Sequence, residues 1–294
     1  MITVTSVIEL QKLINTYKSD GKRIGFVPTM GALHQGHMSL MNASNTECDI
    51  TVCSVFVNPT QFNQENDLAK YPRTLKADEM LLDKNGVDIV FAPPENEVYP
   101  NNLNTNIEIE FDGLDKEMEG EFRPGHFAGV VQVVKRLLDI VLPEALYMGQ
   151  KDFQQFTIIN FMINKLNVDT QLRIVPIVRE KSGLAMSSRN VRLSETNKKA
   201  AEVIYKTLKA VKRNKYKMSC AALEKYAMNR LSKIPNFRPE YFTIANARTL
   251  RSINNVKSCD YVVACTAVWA GDVRLIDNTI LRKPRKLKIF VKTK

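Results

Sequence analysis

The chain has 294 residues, of which 44% are hydrophobic and 25% are charged; this composition is typical of a globular protein and excludes a disordered one. No run approaches 18 consecutive apolar residues, and the N-terminus lacks the basic-then-apolar layout of a signal peptide, so we expect a cytoplasmic protein without a membrane span. The formal net charge is +11, but seven basic residues fall within residues 282–294, which leaves a mildly basic body. Five cysteines without a C-x-x-C pair are typical of reduced thiols.

The chain opens with a helical pattern, continues into a strand and then returns to helical spacing after a turn. Apolar residues recur at helical intervals over Val7–Tyr17, behind Thr5 or Ser6 as a cap and before Asp20-Gly21 as the end of the helix. The apolar run Arg23–Val27 predicts a buried strand, and helical spacing resumes from Gly36.

The turn between that strand and helix reads VPTMGALHQGH and concentrates the chemistry of this part of the chain. It holds His34 and His37, two of only three histidines in the sequence. In a parallel sheet such a turn lies at the edge where ligands bind, and free N–H groups of the helix favour an anion. We therefore expect a phosphate-bearing ligand, with Gly31 and Gly36 leaving room for it to approach the backbone. Zinc is a competing interpretation, but no Cys or carboxylate lies at a ligand-like spacing.

The following segments predict two more strands with a helix between them. An apolar, β-branched run covers Thr51–Val57 and stops at Asn58-Pro59, because proline cannot continue a central strand. The amides of Asn58 and Gln61 are suited to hydroxyls and carboxylates, although Asn-Pro is equally a plain turn. A helix over Leu75–Lys84 leads to a strand at Val87–Ala92. This alternation predicts βαβ units and a parallel sheet.

A second histidine-containing turn precedes the most apolar helix of the chain. Arg123 and His126 lie in EGEFRPGHF, directly before a helix over Ala128–Leu142. They are equally consistent with a ligand site and with a loop ion pair beside a packed ring. After the next short strand, Lys151 is a candidate phosphate contact, and Gln155, one turn into a helix, would face the same cleft.

The composition changes after a strand at Leu172–Val178, and we place a domain boundary there, dividing the chain into residues 1–178 and 179–294. The polar segment that follows contains Ser187-Ser188-Arg189. These side chains can donate several hydrogen bonds to a polyphosphate, or the segment can be only a helix-capping linker.

The C-terminal part is expected to contain two lysine-rich helices over Glu195–Lys233 and then a group of strands. The last two strands would form a hairpin that turns at Ala270-Gly271-Asp272. The basic segment 282–294 is expected to be a solvated tail or edge strand rather than a nucleic-acid site.

Six motifs occur together in the chain: VPTMGALHQGH, VNPTQF, DLAKYPRT, RPGHFAGV, KDFQQ and LAMSSRN. The H-x-G-H turn alone is shared with many adenylyl-transferring enzymes of the HIGH-motif nucleotidyltransferase superfamily. The six in this order make the chain, from about Met1 to Ile280, resemble the pantothenate synthetase (pantoate–beta-alanine ligase) family. The basic tail lies outside this resemblance.

The resemblance implies an α/β fold with a Rossmann-like parallel-sheet N-terminal domain and a smaller α/β C-terminal lid domain. It implies an AMP-forming ligase in which the pantoate carboxylate attacks the α-phosphate of ATP and releases pyrophosphate. The amine of β-alanine would then displace AMP from the pantoyl adenylate to give pantothenate. Mg²⁺ is expected with ATP, a homodimer is typical, and neither a membrane nor a nucleic acid is an expected partner.

Roles for individual residues follow from the resemblance at the positions that match its motifs. His37, His34 and Lys151 would act in catalysis, with His37 as the acid. The residues expected to bind ATP are Met30, Gly31, Ala32, Leu33, His34, Gln35, Gly36, His37, Gly149, Gln150, Lys151, Asp152, Val178, Met186, Ser187, Ser188 and Arg189. Those expected to bind pantoate or β-alanine are Gln61, Gln155, Asn58, Tyr71, Arg123 and His126. No residue is assigned to a metal.

One position departs from the family pattern. Family members commonly have Gly-Glu-Lys-Asp where this chain has Gly149-Gln150-Lys151-Asp152, so an amide replaces a carboxylate. We expect activity to be kept, with an altered nucleotide affinity if the charge of that carboxylate tunes Lys151.

Two other functions compete with the ligase interpretation. Another nucleotidyltransferase of the same superfamily would share His34 and His37 but lack the pair Gln61 and Gln155. An RNA-binding module would use the basic tail, but RNA readers interleave aromatic residues with basic ones, and this tail has Phe290 alone.

Overall fold

The computed structural model of the chain describes residues 1–62, 68–284 and 289–291. At its centre is a six-stranded parallel sheet with the strand order β1-β4-β3-β2-β5-β6. The strands are β1 (Ile2–Val4), β2 (Ile24–Thr29), β3 (Ile50–Val55), β4 (Ile89–Phe91), β5 (Ala145–Gly149) and β6 (Gln171–Val175). From β2 the chain proceeds through β3 and β4 toward one edge, and later through β5 and β6 toward the other. The order therefore switches between β2 and β5, which is where open α/β sheets bind their ligands.

Helices cover both faces of this sheet. Successive strand residues point to opposite faces, and because these strands are apolar on both faces, each face packs against helices. They are α1 (Val7–Ser19), α2 (Gln35–Glu47), α3 (Leu75–Lys84), α4 (Glu95–Val98), α5 (Glu119–Phe122), α6 (His126–Val141) and α7 (Phe153–Lys165). Phe26 of β2 packs with α1, α6 and α7, whereas its neighbour Val27 packs with α2 and α3. In the described ranges, no helix combines the length and the apolar character that a membrane crossing requires.

The strands on either side of the switch point separate toward their carboxyl ends. β2 pairs with β5 only through Gly25 and Phe26, although β2 continues to Thr29 beside β3. The apolar run Arg23–Val27 that predicted this strand therefore ends two residues before the strand does. Pro28 is accommodated here because its missing N–H falls on the side from which β5 has already moved away. The gap between the two strands opens a crevice.

The C-terminal part has a second, antiparallel sheet with three helices. The helices are α8 (Glu195–Ala200), α9 (Glu202–Asn214) and α10 (Cys220–Ser232), and the strands, in the order β7-β8-β9, are β7 (Phe237–Asn246), β8 (Val262–Ala270) and β9 (Val273–Arg282). The first of the two predicted helices is divided at Ala201. The hairpin between β8 and β9 is confirmed, with Gly271 at φ +62° in its turn.

The two sheets have partly separate cores. A C-terminal core starts at Leu184 and lies between the helices and one face of the antiparallel sheet. The opposite face, including Tyr261 and Cys265, packs into the core of the parallel sheet. The α/β fold with a parallel sheet and a smaller C-terminal part is thus confirmed. The division at residue 178 stays a prediction, since side chains of both sheets share one core.

A short strand forms one edge of the parallel sheet, and a segment of the basic tail lies along the other. β1 pairs with β4 at one edge, and sequence analysis missed it because three residues show no periodicity. At the other edge, the Ile174 N–H donates to Ile289 O at 2.6 Å and the Val291 N–H donates to Ile174 O at 3.0 Å. Residues 289–291 of the basic tail therefore lie along this edge through one isolated parallel bridge, Ile174 with Phe290, while Arg282 is the last residue of β9. Residues 285–288 and 292–294 of the tail, and Asp67 of the DLAKYPRT motif, lie outside the described residues.

Candidate active site

The crevice between β2 and β5 leads into a cavity of about 230 Å³. Its walls come from the carboxyl ends of β2, β5 and β6, from the start of α2 and from the Ser-Ser-Arg segment. The sequence-predicted residues that line it are Met30, His34, Gly36, His37, Asn58, Gln61, Tyr71, Gly149, Gln150, Lys151, Asp152, Gln155, Val178, Met186, Ser187, Ser188 and Arg189. Segments far apart in sequence thus meet at the switch point.

The remaining predicted residues lie outside this cavity, and they are Gly31, Ala32, Leu33, Gln35, Arg123 and His126. The first three form the turn before α2. The N–H groups of Ala32 and Leu33 point to α3, the Gly31 N–H donates to Thr29 Oγ1 at 3.2 Å, and Gln35 is exposed. Arg123 and His126 line an adjoining cavity of about 40 Å³, which also contacts Lys151 and Gln155. The second turn is therefore a neighbour of the main site.

His34 and His37 bond to the backbone of their own turn and cap α2. His34 Nδ1 accepts from the Gly36 N–H at 3.1 Å, and His37 Nδ1 accepts from the His34 N–H at 3.2 Å. A Cβ at position 36 would lie 2.8 Å from the His34 ring. Two predictions about this turn are therefore wrong in part. The space beside Gly36 is occupied by the His34 ring and not left open for a ligand, and the Gly36 N–H at the start of α2 is not free, because it donates to that ring.

This geometry fixes the proton of each ring. Because Nδ1 accepts a hydrogen bond, the proton lies on Nε2, and each ring offers one Nε2–H donor. Burial and the Lys151 ammonium lower the pKa of His34 to about 4. Burial, followed by His34 and Lys151, lowers the pKa of His37 to about 3. Both rings are neutral near pH 7 in the unliganded protein and act there as hydrogen-bond donors, while the acid role of His37 stays a prediction.

Sequence analysis missed Asp78, a buried residue of α3 that supports the turn. Its Oδ2 accepts from the Ala32 N–H at 3.0 Å, and its Oδ1 accepts from the Leu33 N–H at 2.8 Å. Gly31 and Ala32 both have left-handed backbone, with φ of +78° and +50°, which costs a non-glycine residue about 1–2 kcal/mol. The carboxylate offsets that cost. Sequence analysis could not find this contact, because acidic residues are common in the first turn of a helix and nothing in the sequence near Asp78 indicates that it bonds to Ala32, 46 residues away.

Asp78→Ala is expected to lower the free energy of unfolding by about 2–4 kcal/mol, because two backbone N–H groups lose a charged acceptor. Urea denaturation followed by circular dichroism at pH 7 measures this change. Asp83→Ala removes an exposed carboxylate from the same helix and should change stability by less than about 0.5 kcal/mol. Equal, small effects of both substitutions would contradict the role of Asp78.

Lys151 and the Ser-Ser-Arg segment face the histidine turn from other walls of the cavity. Lys151 lies two residues after the end of β5, and only 20% of its side chain is exposed. Ser187 Oγ accepts from the Arg189 N–H at 3.3 Å and so begins a short 3-10 turn. The Tyr71 hydroxyl lies 3.5 Å from Ser188 Oγ and links this segment to the N-terminal part. Two cations and two hydroxyls border one cavity, a set suited to a polyphosphate.

Gln61 is positioned by two residues that were predicted to touch a ligand. His126 Nδ1 donates to Gln61 O at 2.8 Å. Asn58 is buried, and its Nδ2 donates to Gln61 Oε1 at 3.2 Å and to Gly129 O at 3.3 Å. Both contacts hold Gln61 in place, so that its amide lines the cavity together with Gln155.

Known proteins of one family match the chain over nearly its whole length. The sequence signature of the Pantoate-beta-alanine ligase family matches residues 2–280. The pantothenate synthetase of Azobacteroides pseudotrichonymphae is 48% identical over 280 residues, covering 95% of this chain and 99% of the relative. The pantothenate synthetase of Bacteroides fragilis is 45% identical over 278 residues, covering 95% of this chain and 98% of the relative.

Solved structures agree with the sequence relatives. Pantothenate synthetase from Thermus thermophilus is similar with a TM-score of 0.89 and 38% identity, covering 96% of this chain and 100% of that chain. Pantoate-beta-alanine ligase from Francisella tularensis, complexed with beta-gamma ATP and beta-alanine, is similar with a TM-score of 0.78 and 34% identity. The match covers 96% of this chain and 98% of that chain. The chain therefore belongs to the pantoate-beta-alanine ligase family.

Proposed function

We propose that the chain catalyses the ATP-dependent condensation of (R)-pantoate with β-alanine. In the first step, a pantoate carboxylate oxygen bonds to the α-phosphorus of ATP, and the bond to the bridging oxygen breaks to release pyrophosphate. In the second step, the β-alanine nitrogen bonds to the acyl carbon of pantoyl adenylate, AMP leaves and the nitrogen loses a proton. The products are pantothenate, AMP and pyrophosphate.

One observation carries this proposal: phosphate-directed groups and a pair of amides border the same cavity. His34 and His37 lie on one wall, and the amides of Gln61 and Gln155 line the same space. Imidazole N–H groups suit phosphate oxygens, whereas amides suit the hydroxyls and carboxylate of pantoate. The Francisella tularensis relative is complexed with beta-gamma ATP and beta-alanine, which supports the same ligand classes for this chain.

The nucleotide would lie between the histidine turn and the Ser-Ser-Arg segment. The Nε2–H groups of His34 and His37 would donate to its phosphate oxygens. Lys151 and Arg189 would stabilise the charge that moves onto pyrophosphate as the bond breaks. No protein nucleophile is required, because ATP itself activates the carboxylate. The chain acts by positioning the reactants and by stabilising charge.

Pantoate would bind beside Gln61 and Gln155, and the adjoining cavity at Arg123 would receive the carboxylate of β-alanine. Mg²⁺ would enter with ATP as part of the substrate, because it commonly binds through substrate phosphates. Within residues 1–62, 68–284 and 289–291, no group of three or more His, Cys, Asp or Glu side chains is arranged to hold a metal ion.

Incubation with ATP, Mg²⁺, pantoate and β-alanine is expected to yield AMP and pantothenate in equal amounts, measured by chromatography with mass detection. Without β-alanine, the reaction should stop at the bound adenylate after about one pyrophosphate per active site. Replacing pantoate with other small acids tests the competing nucleotidyltransferase interpretation. If no combination that includes pantoate gives AMP, the proposed function is wrong.

We also propose that the protein is a homodimer, which is what the resemblance implies, and that it lies in the cytoplasm, as the sequence pattern led us to expect. Light scattering during size-exclusion chromatography is expected to give about twice the 33.4 kDa of one chain. A single-chain mass at micromolar concentration would contradict the dimer and leave the proposed reaction untouched.

A further inference from the structure

One buried side chain of the antiparallel sheet, Asn278 of β9, holds the loop that follows β5. Its Nδ2 donates to the carbonyl oxygens of Gln150 and Lys151, both at 2.9 Å. Its Oδ1 accepts from Gln150 Nε2 at 3.0 Å. Asn278 is only 2% exposed, so solvent cannot readily replace these partners. The three bonds tie the second sheet to a loop of the candidate active site.

Asn278 is in turn held by its neighbours. Asp277 Oδ1 accepts from the Asn278 N–H at 2.7 Å, and Arg179 donates to both Asp277 oxygens at 2.6 and 2.9 Å. Arg179 also donates to Gly183 O at 3.0 Å. A continuous series of hydrogen bonds therefore runs from the segment after β6 to the loop after β5.

The partners of each amide determine which way it faces. Asn278 must turn its NH₂ group toward two carbonyl oxygens, which leaves its oxygen facing the side chain at position 150. Only a hydrogen-bond donor matches that oxygen, and Gln150 supplies one through Nε2. An ionised carboxylate at position 150 has no proton to donate and would place like partial charges in contact.

We propose that Gln150 and Asn278 are a matched pair of positioning residues that hold the loop Gly149–Asp152 in the shape that receives the nucleotide. Every residue of this loop borders the main cavity. Because Asn278 bonds to the Lys151 carbonyl, the antiparallel sheet also fixes the point from which the Lys151 ammonium extends. The inference rests on the proposed function, which supplies ATP as the ligand, and it assigns the C-terminal sheet a role in ATP affinity.

Gln150→Glu tests the match, and Gln150→Met removes the hydrogen bond without adding charge. We expect Gln150→Glu to raise the KM for ATP about tenfold and Gln150→Met about threefold, with the KM for pantoate nearly unchanged. Gln171→Glu makes the same chemical change at an exposed position on β6 and should leave both constants unchanged. Equal effects of the Glu and Met substitutions at position 150 would overturn the proposed mismatch.

The pH dependence distinguishes a mismatch of donors from a general disturbance of the loop. A protonated carboxyl group at position 150 would donate to Asn278 Oδ1, so the loss of ATP affinity in Gln150→Glu should shrink from pH 8 toward pH 5. The other charged groups near the pair, Lys151, Asp152, Asp277 and Arg179, are common to all variants. Calorimetric titration with ATP, relative to the wild type at each pH, measures this difference. A loss that stays constant across this range would overturn the proposal.

Hydrogen exchange gives a readout that needs no ligand. The Gln150 N–H donates to Val175 O at 2.8 Å, and its exchange in the unliganded protein should be faster in Gln150→Glu than in the wild type. Wild-type exchange and wild-type KM for ATP in this variant would overturn the pair while the ligase function stands. Absence of ligase activity in the wild type would instead overturn the proposed function and leave the exchange result interpretable.

Discussion

His37→Asn is expected to lower kcat of the ligase reaction by about 10²- to 10³-fold, the loss typical of one donor to a developing charge. The asparagine oxygen can replace Nδ1 as the acceptor for the His34 N–H, which His37 binds at 3.2 Å. The cap of α2 is therefore kept, and only the Nε2–H donor to the phosphates is lost. Initial rates of AMP formation at saturating substrates measure the effect, with urea denaturation as the measure of folding.

His37→Gln is the matched control, because its amide keeps an N–H donor near the position of Nε2, and a glutamine at this third helical position can also accept from the His34 N–H. It should retain more activity than His37→Asn at similar stability. Since the donor acts on the transition state, kcat and kcat/KM for ATP should fall together in His37→Asn. The opposite order of activities, or a global loss of folding in His37→Asn, would contradict the assigned role.

Features set by local pattern were predictable from the sequence. The helix Leu75–Lys84 has the predicted bounds, and the hairpin turns at Gly271 as predicted. Periodicity and turn residues determine both features within a few positions along the chain. The place where β2 turns into α2 was predictable for the same reason.

Features that depend on distant partners were not predictable. Asn278 lies in a strand pattern and resembles any polar residue of a half-exposed strand, but its partner loop is 128 residues away. Asp78 resembles an ordinary acid in the first turn of a helix, although it holds a turn that precedes it by 46 residues at Ala32. The histidines were predicted to bind a ligand, but their orientation, which directs Nδ1 to the backbone, follows from the turn geometry and not from residue type.

A second large effect is expected at Arg274 of β9, which forms a buried ion pair with Glu119 of α5. Arg274 Nη1 and Nη2 donate to the two Glu119 oxygens at 2.7 and 2.9 Å, and Nε donates to Glu240 at 2.7 Å. The Tyr241 hydroxyl donates to Glu119 Oε1 at 2.8 Å. Burial alone would raise the pKa of Glu119, but the hydrogen bonds and charge of Arg274, with Tyr241, hold that pKa below its ordinary value.

Arg274→Met is expected to lower the free energy of unfolding by about 3–5 kcal/mol at pH 7, because the buried Glu119 carboxylate loses its two charged hydrogen bonds. Its remaining cation is the more distant Arg123 guanidinium, at 3.9 Å. Methionine keeps much of the apolar volume, so the effect reports chiefly on charge. Arg248→Met breaks an ion pair with Asp260 whose side chains are 51% and 56% exposed, and it should change stability far less than Arg274→Met. Urea denaturation of both variants at one salt concentration makes the comparison.

The pH dependence of stability separates loss of charge pairing from loss of packing. In the wild type, the lowered Glu119 pKa contributes stability that is present above the unfolded-state pKa of about 4.3 and is lost as the pH falls through the folded-state value. In Arg274→Met, burial with only the more distant Arg123 nearby should raise the pKa of Glu119 relative to the wild type, so the deficit is largest at pH 8 and shrinks toward pH 5. Adding Glu119→Gln to Arg274→Met should recover part of the stability at pH 8 and weaken the pH dependence. A deficit that is constant from pH 8 to pH 5 and unaffected by Glu119→Gln would mean that Arg274 joins α5 to β9 by packing alone.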